Sequence, residues 1–215
     1  MPDFRPLLST RLVAPVAKEI TVSFGHTGQS LGSATGLLSR FPKSRIHVTG
    51  NPVRGSVLRG SVKEARRLFH LNERYPTVLV MGGGTGARRL NQLVGEALPD
   101  LTKYVQIIHV TGGRIEERKI AKSEHYHSYD FLAGELKHAL AVADLVVSRA
   151  GMATISELAR LGRVALLVPL PDSPQEDNAK LLAAFKLALA VNEKFLTAPA
   201  LVELVRKILW DQQLQ

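Results

Sequence analysis

At 215 residues the chain has room for one large domain, or for one domain and part of another. Its 45% hydrophobic and 22% charged residues are those of a globular protein; the lack of cysteine excludes disulfides and thiolate metal sites and fits the cytoplasm. No apolar run is long enough to cross a bilayer, and Met1-Pro2-Asp3-Phe4-Arg5 lacks the basic start and apolar core of a secretory signal. The formal charge of +9, from 28 Lys and Arg against 19 Asp and Glu, suits an anionic partner: nucleic acid, acidic lipid or a phosphorylated ligand. Lys63, Arg66, Arg67, Arg88 and Arg89 make no long basic run, so the reading is no nucleic acid.

Leu7, Leu8, Leu12, Val13 and Val16 have helical spacing, but Pro6 and Pro15 interrupt it. Residues 20–24 and 45–48 read as short strands, separated by a loop rich in Gly, Ser and Thr at 25–36. Two such strands are too few for an independent sheet and need a partner. Residues 49–54, T-G-N-P-V-R, form a turn cluster and a candidate hinge. Residues 61–70 read as a helix with Ser61 as N-cap and Glu64 as its capping-box partner. A strand at 77–81, a glycine run at 82–86, a helix at 87–98 and a strand at 104–110 follow. Then come a helix at 115–123, an extended stretch at 126–131, a helix at 135–143 and a strand at 144–147. Residues 154–161 have apolar positions at helical spacing, closed by Gly162 as C-cap. The remaining elements are a strand at 164–168, a helix at 175–184, a strand at 188–191 and a helix at 198–210. Strands alternating with helices predict an α/β fold: a parallel sheet covered on both faces.

Three loops follow strands in this pattern, at 82–86, 148–153 and 169–175, and in an open α/β sheet such loops share the carboxyl edge where ligands bind. The first, M-G-G-G-T-G-A-R at 81–88, opens a helix; glycines admit a phosphate to the backbone and the helix start favours its charge. Gly82, Gly84 and Ala87 also fit the loose dinucleotide fingerprint, but the next strand, 107–111, ends without the ribose-binding carboxylate. The second loop opens the helix bearing Glu157, placed to meet a ribose diol beside a phosphate or to be a solvated surface acid. The third loop leads to Gln175 and Asn178, amides one helical turn apart that can read sugar hydroxyls, although taken alone the stretch is better explained by Ser173 or Asp172 as a plain helix cap. Together the loops describe a nucleotide-sugar site. The chain has no G-x-S-x-G elbow, H-E-x-x-H or Walker loop, and His125 and His127 read as surface residues rather than metal ligands.

Four pieces in order, G-N-P-V-R (50–54), G-G-G-T-G-A-R-R-L-N (82–91), A-D-L-V-V-S-R-A-G-M-A-T-I-S-E-L (143–158) and Q-E-D-N-A (175–179), resemble the MurG family within glycosyltransferase family 28. The resemblance implies a GT-B hexosyltransferase that moves GlcNAc from UDP-GlcNAc onto lipid I to make lipid II for peptidoglycan, without metal or cofactor. It implies a Rossmann-like donor domain at 51–215, and at 1–50 a remnant of the N-terminal acceptor domain. It places Arg54 and the loop residues Gly83, Gly84 and Thr85 at the diphosphate; the family often has Ser where Gly84 stands, and Thr85 is the substitute. It places the Leu132 backbone at uracil, wraps Met152, Ala153, Thr154, Ile155 and Ser156 around the nucleotide, and sets Glu157 on the ribose. It places Gln175 and Asn178 at the sugar, with Pro174 replacing the family's first polar residue there. The family's general base, glycine-rich acceptor loop and membrane-docking patch belong to the N-terminal half. The expectation is therefore no catalytic residue in this chain, and lipid I met through a missing domain or a separate subunit. The expected location is the cytoplasmic face of the cell membrane, peripheral, with an anionic membrane surface as partner. The alternatives are a non-catalytic UDP-sugar-binding subunit of a two-chain transferase and an NAD-dependent Rossmann oxidoreductase.

Overall fold

A computed structural model describes residues 13, 16–25, 45–83, 87–113 and 123–210. The helix expected at 115–123 and the loop at 25–36 lie almost wholly outside these residues, as do Gly84, Thr85 and Gly86. The strands are β1 (Ile20–Val22), β2 (Ile46–Val48), β3 (Thr77–Met81), β4 (Gln106–Val110), β5 (Tyr126–Tyr129), β6 (Leu145–Ser148), β7 (Ala165–Leu167) and β8 (Leu189–Ala190). The helices are α1 (Val62–Leu68), α2 (Arg88–Leu101), α3 (Leu136–Val142), α4 (Met152–Leu161), α5 (Pro174–Ala184) and α6 (Ala198–Trp210), with a 3-10 turn at Val57–Arg59.

Strands β3 to β8 form one parallel sheet in the order β5-β4-β3-β6-β7-β8. Counted from its first strand this is the doubly wound Rossmann order, and the winding reverses between β3 and β6. The period of two in each strand sends alternate side chains to opposite faces. Val78 and Val80 join the core under α2 and α6, while Leu79 and Met81 join the core under α1, α3, α4 and α5. The same alternation runs through β6, where Leu145 and Val147 face one way and Val146 the other. Both faces are apolar, so these strands read as unbroken hydrophobic runs.

Local chemistry sets the helix ends. Gly162 stands at φ 62°, the left-handed C-cap of α4, and its N–H reaches the carbonyls of Leu158 and Ala159. Ser173 caps α5 by accepting from the Gln175 N–H, with Pro174 in the first turn, where its missing N–H is not needed. At α1 only half of the expected capping box forms. Ser61 Oγ accepts from the Glu64 N–H, but the Glu64 carboxylate pairs with Arg67 instead. The Ser61 N–H donates to His138 Nδ1 on α3 at 3.0 Å. That contact needs close approach: a Cβ on Gly60 would stand 2.0 Å from the Lys137 carbonyl oxygen. Helix α2 runs past its expected stop at Leu98 to Leu101, through Pro99, because Leu98 and Leu101 are both buried against the sheet. Helix α4 begins at Met152, earlier than the expected residue 154.

The two N-terminal strands pair with each other, in parallel, Ile20 beside Ile46 and Val22 beside Val48. Ile20 and Val22 are buried, and Ser23 and Phe24 leave the strand so that Phe24 packs against the core that Leu79 and Met81 join.

Candidate functional site

The reversal of winding puts the carboxyl ends of β3 and β6 side by side, Met81 in register with Ser148. Each strand runs through a small-residue turn into a helix. Gly82 and Gly83 leave β3, and Gly83 stands at φ 79°, a left-handed backbone that favours glycine. Arg149, Ala150 and Gly151 leave β6. The caps of α2 and α4 are Ala87 and Gly151, and neither offers a side-chain hydrogen bond to the first amides of its helix. Among the described residues no cap side chain takes those amides, and with the helix dipoles they make this crevice positive. Helices α1 and α5 are capped by serine, whereas α3, like α2 and α4, has no side-chain cap.

Glu157 lies at the middle of α4 and is buried, its side chain 8% exposed, which overturns the reading as a solvated surface acid. Its Oε1 accepts from Arg54 Nε at 2.8 Å, while the Arg54 side chain is 64% exposed. The hydrogen bond and the charge of Glu157 push the Arg54 guanidinium further up from its ordinary pKa. The two residues that the resemblance assigns to diphosphate and ribose are thus direct neighbours. Asn51 holds the same segment in place: its Nδ2 donates to Ser156 Oγ at 2.8 Å and to the Met152 carbonyl at 3.3 Å. Ser156 Oγ in turn donates to the Met152 carbonyl at 2.8 Å. Of the other α4 residues expected here, Met152 and Ile155 point into the core, Ala153 is exposed and Thr154 is half-buried. Leu132, which follows β5, buries its side chain in the core shared with Met81 and Met152, leaving its backbone as the group it can present.

The two amides of α5 differ. Asn178 is fully buried, and its Nδ2 donates to the Ala150 carbonyl at 3.1 Å, fastening α5 to the turn that opens α4. Gln175 is half-buried, and its Oε1 accepts from the Leu170 N–H at 3.1 Å, closing its own loop. Gly84 and Thr85 lie outside the described residues.

Sequence reasoning missed Arg149 and Glu193. Arg149 NH1 donates to the carbonyls of Val168 and Pro169 at 3.1 and 3.3 Å, and NH2 stands 2.7 Å from Glu193 Oε1. Both side chains are buried. Glu193 Oε1 has no aligned hydrogen bond, so this contact is one of charge rather than of directed N–H donation. It ties together the loops after β6, β7 and β8. Asn51 had a signal in the G-N-P-V-R motif, whereas Arg149 read only as part of a small-residue turn.

At the end of β4, where a dinucleotide fold carries its ribose acid, stands buried His109. Its Nε2 meets Asn91 Oδ1 at 3.1 Å and its Nδ1 meets the Tyr126 hydroxyl at 2.9 Å. Burial lowers its pKa to about 4, so the ring is neutral at pH 7. His125 and His127 are not surface residues as expected: His125 packs on the Tyr75 ring, centroids 4.1 Å apart, and His127 is half-buried. Among the described residues no three His, Asp or Glu side chains stand together as a metal site would need.

Comparison with known proteins gives the family and the fold. The model of the glycosyltransferase family 28 C-terminal domain matches residues 77–215. The chain is 33% identical over 168 residues to UDP-N-acetylglucosamine–N-acetylmuramyl-(pentapeptide) pyrophosphoryl-undecaprenol N-acetylglucosamine transferase 3 of Bacillus thuringiensis, covering 78% of this chain and 45% of that one. It is 29% identical over 215 residues to the corresponding transferase of Lachnoclostridium phytofermentans, covering 98% of this chain and 58% of that one. The chain thus spans 45% to 58% of the length of these curated relatives. Among solved structures, MurG of Acinetobacter baumannii superposes with a TM-score of 0.69 at 26% identity, over 99% of this chain and 57% of that one. Os79 of O. sativa, solved with UDP, has a TM-score of 0.69 at 14% identity, covering 94% of this chain and 48% of that one, a likeness of fold alone. The fold is that expected, the Rossmann-like donor domain of a GT-B glycosyltransferase. The chain belongs to the glycosyltransferase family 28 C-terminal domain family.

Proposed function

We propose that the chain is the donor-binding part of a hexosyltransferase that moves GlcNAc from UDP-GlcNAc to lipid I, giving lipid II for peptidoglycan. The observation that carries this reading is the buried Glu157 carboxylate held by Arg54 beside two helix starts without side-chain caps. An acid that receives a diol, a guanidinium and free backbone amides are the groups a nucleoside diphosphate needs. The pairing leaves both partners fit for these roles. Arg54 uses Nε on Glu157 and keeps its terminal nitrogens for the diphosphate, while Glu157 keeps its second oxygen for ribose.

In this reading Gly83, Gly84 and Thr85 bring backbone to the diphosphate, and the Leu132 backbone meets uracil. Met152, Ala153, Thr154, Ile155 and Ser156 wrap the nucleotide. Gln175 offers its Nε2 to the sugar, and Asn178 acts by holding the Ala150 turn in place. Residues 51–215 form the donor domain and residues 1–50 belong with the acceptor domain, through which lipid I is met. The protein works at the cytoplasmic face of the membrane as a peripheral enzyme; among the described residues no helix is long and apolar enough to span a bilayer.

Calorimetric titration of the chain with UDP, UDP-GlcNAc and NADH tests this reading. We expect heat with the two uridine ligands and none with NADH. Tight NADH binding without a UDP signal would sink it.

A further inference from the structure

We propose that the chain carries a second ligand site, for an organic phosphate, at the amino edge of the main sheet, opposite the carboxyl-edge crevice. A cleft of about 600 Å³ opens there, over the starts of β3 and β4, with Arg66 of α1, Arg74, Arg163 and Trp210 of α6 in its walls.

The hydrogen-bonding groups of the cleft divide unevenly. Gln106, on its floor, is fully engaged: Oε1 accepts from the Asn72 N–H, and Nε2 donates to Asn72, Tyr75 and Thr77. Each of the two carboxylates has one oxygen engaged. Asp144 Oδ2 accepts from the Thr77 N–H at 2.7 Å, and Glu73 Oε1 accepts from Arg66 NH1 at 2.9 Å. The guanidinium groups of Arg163 and Arg74 keep donors. Arg163 NH1 reaches the Ala143 carbonyl at 3.1 Å, which sets its guanidinium between the cleft-lining Val142 and Asp144. Its Nε is buried and has no hydrogen-bond partner among the described residues. A buried guanidinium N–H without an acceptor is costly, and an oxyanion that entered beside it would remove that cost. Arg74 has no ion pair among the described residues.

Three guanidinium groups against two carboxylates leave the cleft positive, and guanidinium forks match phosphate oxygens. Trp210, 53% exposed and packed edge-on against Tyr104, joins Tyr75 in giving an aromatic wall to the organic part of the ligand. A soluble phosphate ester and the phosphodiester headgroup of a lipid share this chemistry. The site does not depend on what the carboxyl edge binds.

Trp210 is the single tryptophan of the chain, so its fluorescence reports on the cleft. The full chain is titrated with glycerol phosphate and with phosphatidylglycerol vesicles. Sodium chloride at matched ionic strength and phosphatidylcholine vesicles are the controls. We expect a saturable change with at least one of the phosphate probes, and which probe acts identifies the source. Arg163→Gln and Arg74→Gln should each weaken it by about tenfold or more, the scale of a lost charge-assisted hydrogen bond, with the circular dichroism spectrum unchanged. Arg74 is exposed, so Arg74→Gln keeps the test open should Arg163→Gln fail to fold. A signal that follows ionic strength alone, or the same affinity in a folded Arg74→Gln variant, overturns the proposal.

Discussion

Two arginine–glutamate pairs stand at the carboxyl edge of the same sheet, and they differ in the exposure of the arginine. In Arg149–Glu193 the two side chains are 8% and 7% exposed, and Arg149 also holds two backbone carbonyls. In Arg54–Glu157 the glutamate is as buried, but the arginine is 64% exposed. A pair buried on both sides is closed to solvent and ligand and works as a strut. A pair with one solvated partner can change that partner's company at little cost. On that difference we propose a structural role for the first pair and a binding role for the second.

The most disruptive test of that division is Arg149→Met. It leaves the Glu193 carboxylate buried without its countercharge, which typically costs about 3–5 kcal/mol. That is a large share of a domain's usual stability of about 5–15 kcal/mol. Urea denaturation should show it, and the double variant Arg149→Met with Glu193→Leu should recover much of the loss. A single variant as stable as the parent would mean that the strut carries nothing.

The next effect is on affinity. Glu157→Ala should weaken UDP binding by roughly 1.5–3 kcal/mol, the scale of a charged hydrogen bond. The arginine it releases is solvated, so stability should change less than for Arg149→Met. An unchanged dissociation constant with a lowered melting temperature would move Glu157 to the structural class and erase the contrast between the pairs.

How much of this contrast could be read in advance depends on where the signal lies along the chain. Strand β3 and helix α6 keep the limits expected from their apolar patterns, because each is long and its pattern unbroken. Strand β1 is shorter than expected, since Phe24 gains more by turning into the core than by extending the ladder. Arg54 and Glu157 were legible as separate motif residues, but their contact was not, because chain distance says nothing of spatial distance until the sheet order is known. Arg149 was hidden for another reason. A buried arginine announces itself only through its partners, and Val168, Pro169 and Glu193 arrive on later loops. The N–H of Ser61 went to His138 rather than to Glu64 on the same tertiary grounds.

The smallest expected effect is on the stability of Arg54→Ala. Removing the exposed arginine side chain opens the Glu157 carboxylate to water, so the loss of stability should be smaller than that of Arg149→Met. UDP affinity should nevertheless fall, so this variant separates binding from stability most cleanly. A loss of stability as large as that of Arg149→Met would show that exposure is the wrong criterion for telling the two pairs apart.

The central claim is that a uridine nucleotide sits at the β3–β6 reversal, over the starts of α2 and α4 and against Arg54 and Glu157. Backbone amide NMR spectra recorded during a UDP titration test it directly. The account predicts saturable shifts at Gly83, at Ala150 to Glu157 and at Leu132, with the amides at the amino ends of β3 and β4 unmoved. Shifts confined to that opposite edge, or none at saturating UDP, would contradict it.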